Sequence, residues 1–517
     1  ADIAGARRIA EVSRGAEVAL TSPSAPIVLL PARSGVLASQ VAPGLRDIGV
    51  MLAYSPVHHM LFDRLGVTAL VMTSANRGGS PIVFRDDDLS WIDGLADAVL
   101  SHDRPIHVPC EDSVVAIDGA GQQLPIRRSR GYAPLPVAVS VSEHAGVILA
   151  TGGDLKTTFC LMGNDGRAHM SSHLGDMADP RTQNCFADAY RHLAVMTDRR
   201  PTLIAHDLHP GYATTRWAAR QALDALAVQH HHAHAVSLIA EHQRMGEPIL
   251  AVAYDGTGYG IDGTIWGGEF LAIADPATFT RVGHLTPFAL PGGDEAALRP
   301  ARIALDLLHR AGIEWDADLA PVADVGPAGI SILAQQIPRG VRCVTTSSMG
   351  RLFDAVASLL GVCQRVTYEG QAAVELEHLA RGGTARGVEI DFRIDAGLMD
   401  PAPVMAGLVD GLRSGADIAD LAAAFHDAVA RATVDAVTSY AGTAGIGTVG
   451  LTGGVFVNRI LLDSIRKALS AKGFDVLTHR ILPCNDGGIA LGQAVIAACA
   501  QPSTERSGPC ALESPAR

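Results

Sequence analysis

The sequence predicts an α/β protein made of a short N-terminal unit and a larger unit of two related lobes. Three observations predict it. The chain has 517 residues, 48% of them hydrophobic and 18% charged, enough apolar material for two or more packed cores. Short apolar runs alternate with longer amphipathic ones, and between 146 and 500 they follow the order β-β-β-α-β-α, then a strand-rich restart with an αβα ending. Apolar strands end repeatedly in Gly-Gly turns, in a chain with 54 glycines. In the first 140 residues, SAPIVLLP (24–31) and TALVMTSA (68–75) predict strands, as do DAVLSHD, SVVAID and LPIRRSRG. The proline-rich stretch 132–146 predicts a linker. From Gly146, GVILATGGDLKTTFCLMGNDGRAHMSS predicts three strands joined by tight turns. ADAYRHLAVM is a helix, LIAHD a strand, YATTRWAARQALDAL a helix and LAVQH a strand. PILAVAYDG (248–256) is the next strand, followed by the hairpin-like GTIWGGEFLAI. GTVGLTGG, VFVNRILLDSIRKALSAKG, FDVLTH and DGGIALGQAVIAACA close the unit as strand, helix, strand and helix. The expected domains are therefore 1–140, 146–500 and a disordered tail at 501–517.

Three of the turns carry a functional expectation. ATGGDLKTT (150–158), AYDGTGYG (253–260) and LTGGVFVN (451–458) each follow an apolar strand. Glycine lets backbone N–H groups approach a phosphate closely, and a helix N-terminus favours anions. A single Gly-Gly pair is usually only a turn. Three at strand ends, spread over two halves, match the layout of the actin/Hsp70-like (ASKHA) nucleotide fold.

The densest feature is HHHAHA (230–235), four histidines in five residues after a strand. His230 and His234 are spaced i, i+4, so on a helix both rings leave from one face and suit one metal ion. Asp255, ending the next strand, and Asp486, opening the last helix, offer oxygen ligands. Such a set suits Zn²⁺, Fe or Mn²⁺. The plainer readings are a turn former for Asp255 and a helix N-cap for Asp486. Asp354, inside the predicted helix 347–361, is placed either to bind ribose hydroxyls or to face solvent. Glu369 precedes a helix, where an acid also simply complements the dipole.

Other features exclude function classes. A net charge of −13 (41 basic, 54 acidic) argues against broad nucleic-acid binding. No apolar run reaches the roughly 18 residues of a membrane helix. The eight cysteines are scattered with no C-x-x-C pair, which fits a reduced cytoplasm and argues against cysteine-type zinc sites. The N-terminus lacks a signal-peptide apolar region and an initiator Met, so a processed or cut-down piece is expected. No G-x-S-x-G elbow, H-E-x-x-H or Walker A is present, so a protein nucleophile has little support.

VILATGGDLKTTFCL, SSHLGD, HDLHPGY, HHHAHA, AYDGTGYG, WGGEF, LPGGD, SSMGRLFDAV, YEGQAA, LTGGVFVNR and CNDGGIALGQ occur in this order. Together they resemble the actin-like transferase domain of the hydrogenase maturation carbamoyltransferases (HypF). VMTSANRGGSPI, HDRPIHVPCEDSVV and IRRSRGYAPLPV resemble the end of that family's YrdC-like carbamoyl-adenylating domain. The resemblance implies an ATP-dependent carbamoyltransferase. Carbamoyl phosphate is the source, carbamoyl-adenylate the activated form, and the C-terminal cysteine of HypE the acceptor, for the cyanide ligands of [NiFe]-hydrogenase. It implies His230, His234, Asp255 and Asp486 as metal ligands, for Zn, Fe or Mg/Mn. It places Gly153, Asp154, Lys156, Gly256, Gly258, Asp354, Gly453, Gly454 and Asn458 in the nucleotide-binding segments of the transferase, and Ser74 and Asn76 in the ATP-holding segment of the YrdC-like domain. The implied location is cytoplasmic, without DNA or membrane partners.

The chain also departs from the family. Within these residues no acylphosphatase-type loop and no cysteine-type zinc module occurs, and the basic start of the YrdC-like domain is expected to lie before Ala1. Pro109 and Glu111 replace an arginine and an aspartate, Thr157 replaces an asparagine, and Ala53 replaces a proline. Loss of the cationic triphosphate clamp is expected to cripple adenylation while leaving the transferase half intact. Two alternatives are a threonylcarbamoyl transferase acting on tRNA and a non-catalytic module that binds HypE.

Overall fold

The computed structural model describes residues 2–141 and 146–500; the expected tail at 501–517 lies outside them. Three sheets organise the chain. A four-stranded sheet in the N-terminal unit runs in the order Asp47–Val50, Ile27–Pro31, Val114–Ile117, Gln123–Arg127. A six-stranded sheet runs Asp224–Val228, Leu203–Asp207, Ile148–Ala150, Cys160–Met162, Arg167–Met170, Pro136–Ala138. The third, nine-stranded sheet is centred on Ile249–Tyr259, flanked by Ile265–Ile273 and Thr448–Thr452. The two large sheets are the two expected lobes. Each opens with antiparallel strands and adds parallel ones, Leu203–Asp207 on Ile148–Ala150 and Thr448–Thr452 on Ile249–Tyr259.

Two helices join the lobes at their centre. His230–Glu241 has every residue buried, and Ile489–Ala500 is buried from Ile489 to Ala498. A helix buried on every side lies in a core, and these two pack on each other. The buried Glu241 at the end of the first helix accepts from His479 Nδ1 (2.8 Å), Arg480 N (2.5 Å) and Ile481 N (2.6 Å). Burial opposes its charge, but the His479 bond and these N–H groups outweigh it and lower its pKa. A depressed carboxylate pKa gives stability that is present above the unfolded value, near 4.3, and is lost as pH falls through the folded value. Glu241→Gln, which sets an amide among these donors, is expected to cost about 2–4 kcal/mol at neutral pH. Thermal unfolding of both proteins should show that gap narrowing below about pH 4.

Several expectations change. Pro136–Ala138, inside the expected linker, pairs antiparallel with Arg167–Met170 and so belongs to the six-stranded sheet; 142–145 lie outside the described residues. AYDGTGYG is a continuing strand, with a shift of register between Tyr254 and Gly258. The expected helix over YATTRWAARQALDAL is only Ala213–Ala218, and Asp224–Val228 is strand. TALVMTSA and DAVLSHD form no strand, and from 51 to 112 no residue is buried. Those apolar runs have no packed face to lie on, and β preference needs one.

The N-terminal unit is tied to the larger one by charge. Arg381 Nη1 and Arg459 Nη2 both donate to the buried Asp47, the first at 2.8 Å. Asp463 accepts from Gly119 N at 2.8 Å, and Asn485 Nδ2 donates to Ile126 O at 3.0 Å. No helix among the described residues is long and apolar enough to cross a membrane.

Candidate metal centre and nucleotide cleft

The histidine helix starts at His230, capped by Gln229, whose side chain accepts from His232 N. One helical turn places the rings of His230 and His234 side by side, 4.9 Å between centroids. Asp255, inside the strand Ile249–Tyr259 at its shift of register, and the turn at Asp486 bring two carboxylates to the same point. His230 Nε2 lies 3.5 Å from both Asp255 Oδ2 and Asp486 Oδ1. His234 Nε2 lies 3.9 Å from Asp255 Oδ2 and 3.5 Å from Asp486 Oδ1. All four ligand atoms fall within 4.8 Å of one another.

These residues fit one cation. Both Nε2 atoms are buried without a hydrogen-bond partner, a costly condition that a metal bond relieves. Tetrahedral ligands at about 2.1 Å stand about 3.4 Å apart, close to these separations. Charge agrees. Burial opposes a charged His230, but Asp486 and Asp207 outweigh it and raise its pKa well above the ordinary value. Burial likewise opposes ionisation of Asp255, and the histidines beside it outweigh that and hold it well below the usual range. A group of this kind demands positive charge at its centre.

Asp207, in HDLHPGY, was not singled out in the sequence. Its Oδ2 accepts from His230 Nδ1 at 2.7 Å, while Oδ1 accepts from His209 N at 2.8 Å. This fixes the tautomer that turns Nε2 inward. The carboxylate–histidine pairing is common at metal sites, so the aspartate ending Leu203–Asp207, the strand that pairs in parallel with the one leading into the histidine helix, was the available signal. Asp207→Asn is expected to weaken metal affinity about 10–100-fold, measured by chelator competition, with the ligands themselves untouched.

Beside the cluster opens a cleft of about 260 Å³ whose wall includes Lys156, Asp255, Gly256, Asp354, Glu369, Gly454, Asn458 and Asp486. Lys156 Nζ pairs with Glu369 at 2.5 Å. Burial disfavours its charge, but Glu369 and Asp486 outweigh this and raise its pKa, so the ammonium persists. Asp354 is buried, which raises its pKa against the pull of Arg351, 2.7 Å away. Arg351 Nε also donates to Gly256 O at 3.2 Å. Asn458 Oδ1 caps the helix Arg459–Ala471, and its Nδ2 meets His426 Nε2 at 2.9 Å. Gly454 N donates to Asp255 Oδ1 at 2.9 Å, linking the third glycine turn to the metal cluster. Gly453 N bonds Cys484 O at 2.9 Å, and Gly153 packs beside Asp486.

Four expected nucleotide residues do other work or lie elsewhere. Asp154 turns away from the cleft: its carboxylate accepts from Ala213 N, Thr214 N and Thr214 Oγ1 at 2.7–3.1 Å. Gly258 makes room for the histidines, because a Cβ there would come within 2.4 Å of the His231 ring and 2.7 Å of His230. Ser74 and Asn76 sit in the N-terminal unit and bond each other at 2.5 Å, while Asn76 Nδ2 also donates to Ser80 O at 2.8 Å. They share no cleft with the histidines. Arg351, Glu377 and Asn485 also line the cleft and were not picked out individually, although Arg351 lies in SSMGRLFDAV and Asn485 in CNDGGIALGQ, so those motifs were the available signal.

Comparisons with known proteins follow this geometry. Three family models match: "Telomere recombination" (Sua5/YciO/YrdC) over 1–129, "HypF Kae1-like domain" over 143–241, and "Carbamoyltransferase, Kae1-like Domain, second subdomain" over 251–493. Carbamoyltransferase HypF of Rhizobium leguminosarum bv. viciae is 40% identical over 506 residues, covering 96% of this chain and 65% of that protein. A carbamoyltransferase HypF homolog of Cupriavidus necator is 38% identical over 390 residues, covering 72% of this chain and 98% of that protein. A crystal structure of full-length HypF in a phosphate- and nucleotide-bound form superposes with a TM-score of 0.90 at 36% identity, covering 96% of this chain and 65% of that one. The chain thus spans 65% of the length of the full-length relatives it matches.

Proposed function

The chain belongs to the HypF carbamoyltransferase family, and on that premise we propose that it transfers a carbamoyl group from carbamoyl-adenylate to the C-terminal cysteine of HypE. The single observation that carries this reading is the His/Asp cluster opening directly into the Lys156–Asp354 cleft. The reading places the nucleotide in that cleft. Lys156 meets a phosphate as a persistent ammonium, and Asp354 accepts from a ribose hydroxyl. A metal held by His230, His234, Asp255 and Asp486 would supply Lewis-acid polarisation at the reacting oxygen. Asp207 holds the His230 ring in place, and Gly454 N–H holds Asp255. In the transfer the carbamoyl C–O bond to AMP breaks and a C–S bond to the acceptor forms.

The acceptor thiolate comes from outside the chain. Cys484, two residues before Asp486 and within the electrostatic reach of Asp255, is 1% exposed and burial pushes its thiol up to about 12. A thiol so buried and basic is inert as a nucleophile. The HypF-specific models over both lobes favour HypE over tRNA as acceptor. ATP and carbamoyl phosphate are the proposed upstream substrates, and the cytoplasm the proposed location. The N-terminal unit, with residues 51–112 unburied, is a poor adenylation site by itself.

The test is the mass of HypE after incubation with the metal-loaded chain. With synthetic carbamoyl-adenylate, a carbamoyl-sized gain on the C-terminal cysteine is expected. With ATP and carbamoyl phosphate alone, little or none is expected. No gain from carbamoyl-adenylate, with folded HypE, sinks the transferase reading in favour of a binding module.

A further inference from the structure

The LPGGD motif (290–294) has no part in the metal centre or the nucleotide cleft. It borders a groove of about 640 Å³ whose wall includes Gly292, Ile332, Arg302, Arg339, Val341 and Arg342. Three arginines converge there in a chain of net charge −13. Arg339 and Arg342 are exposed and have no carboxylate partner among the described residues. Arg302 spends its Nε on Pro291 O at 2.7 Å. The one acid on the wall, Glu295, is already paired with Arg299 at 2.6 Å. The groove is not merely cationic: Ile332 is 63% and Val341 54% exposed beside the guanidinium groups.

We propose that this groove docks an acidic, partly apolar peptide segment of a partner protein. Unpaired arginines around an apolar floor suit carboxylates that alternate with aliphatic side chains. A bare phosphate would leave the apolar wall unused. The groove also adjoins the site by a short path. The strand Cys343–Thr346 leads from Arg342 to Ser348, whose Oγ donates to both Asp255 O and Gly256 O at 2.8 Å. Extended backbone of that length reaches about 20 Å at most, so a segment seated here holds its protein beside the cleft. The inference rests on the groove alone and stands whether or not carbamoyl transfer does.

The test is fluorescence anisotropy of a short fluorescein-labelled peptide of alternating Glu and Leu, titrated with the full chain. Saturable binding that weakens as salt rises is expected. Arg339→Glu with Arg342→Glu should weaken it about tenfold or more. Ile332→Asp should also weaken it, and Arg200→Glu, on the other lobe, should not. Both groove arginines are exposed, so unchanged thermal unfolding is the check that the variant folds. Absence of saturable binding overturns the proposal. So does binding indifferent to the Arg339/Arg342 reversal, or displacement by inorganic phosphate as effective as by unlabelled peptide.

Discussion

His234→Ala is expected to empty the proposed metal centre and lower the proposed carbamoyl transfer by about 10³-fold or more, because several kcal/mol of charge stabilisation goes with the cation. The variant leaves three ligands, of which two are carboxylates beside a single imidazole. His230 stays oriented by Asp207 at 2.7 Å, so the loss reads the missing ligand and not a collapsed ring. The deleted ring packs 4.9 Å from His230 within a fully buried helix, so some loss of stability is also expected. Metal-to-protein ratio, measured by mass spectrometry of the metals, separates the two effects. A folded variant that keeps a full equivalent of metal would show that His234 is not a ligand. A folded variant that loses metal and still transfers would remove the metal from the chemistry.

The four residues that cluster as a candidate metal site were legible because each carries a local signal. The i, i+4 histidines need only a helix, Asp486 opens a helix as expected, and Asp255 follows an apolar run, although its strand continues to Tyr259 rather than ending there. Much of the lobed architecture was legible for the same reason: ATGGDLKTT and LTGGVFVN do end strands, at Ala150 and Thr452. What failed was whatever depended on distant partners. AYDGTGYG looks like a turn by composition, yet it continues as strand, because Gly268 and Trp266 of the neighbouring strand pair with Tyr254 and Gly258 on either side of a register shift that contains Gly256. Asp154, placed by resemblance in a nucleotide-binding segment, has its carboxylate taken by the N–H groups of Ala213 and Thr214, some 60 residues on. TALVMTSA has strand composition and no strand neighbour. Asp207 and Arg351 act through geometry that no local spacing encodes.

The join between the two lobes also explains a glycine that no motif reading singled out. Gly492 lies inside the helix Ile489–Ala500, where glycine costs helix stability relative to alanine by about 1 kcal/mol. On propensity alone Gly492→Ala should therefore stabilise. The packing reverses that sign. A Cβ at 492 would lie 1.9 Å from the carbonyl oxygen of Ala233 and 2.9 Å from its Cα. These are backbone atoms of the histidine helix, which cannot swing aside as a side chain could. The two helices must move apart, and overpacking of this kind costs about 3 kcal/mol or more. The same shift separates His230 and His234, on one helix, from Asp486, which opens the other. Gly492→Ala is therefore expected to lower the unfolding midpoint and to weaken metal binding together. Gly442→Ala is the matched control, since a Cβ there meets nothing within 4 Å; it should be neutral or stabilising and leave the metal untouched. A Gly492→Ala protein as stable as the parent, with full metal affinity, would falsify the claim that close backbone packing sets the ligand geometry.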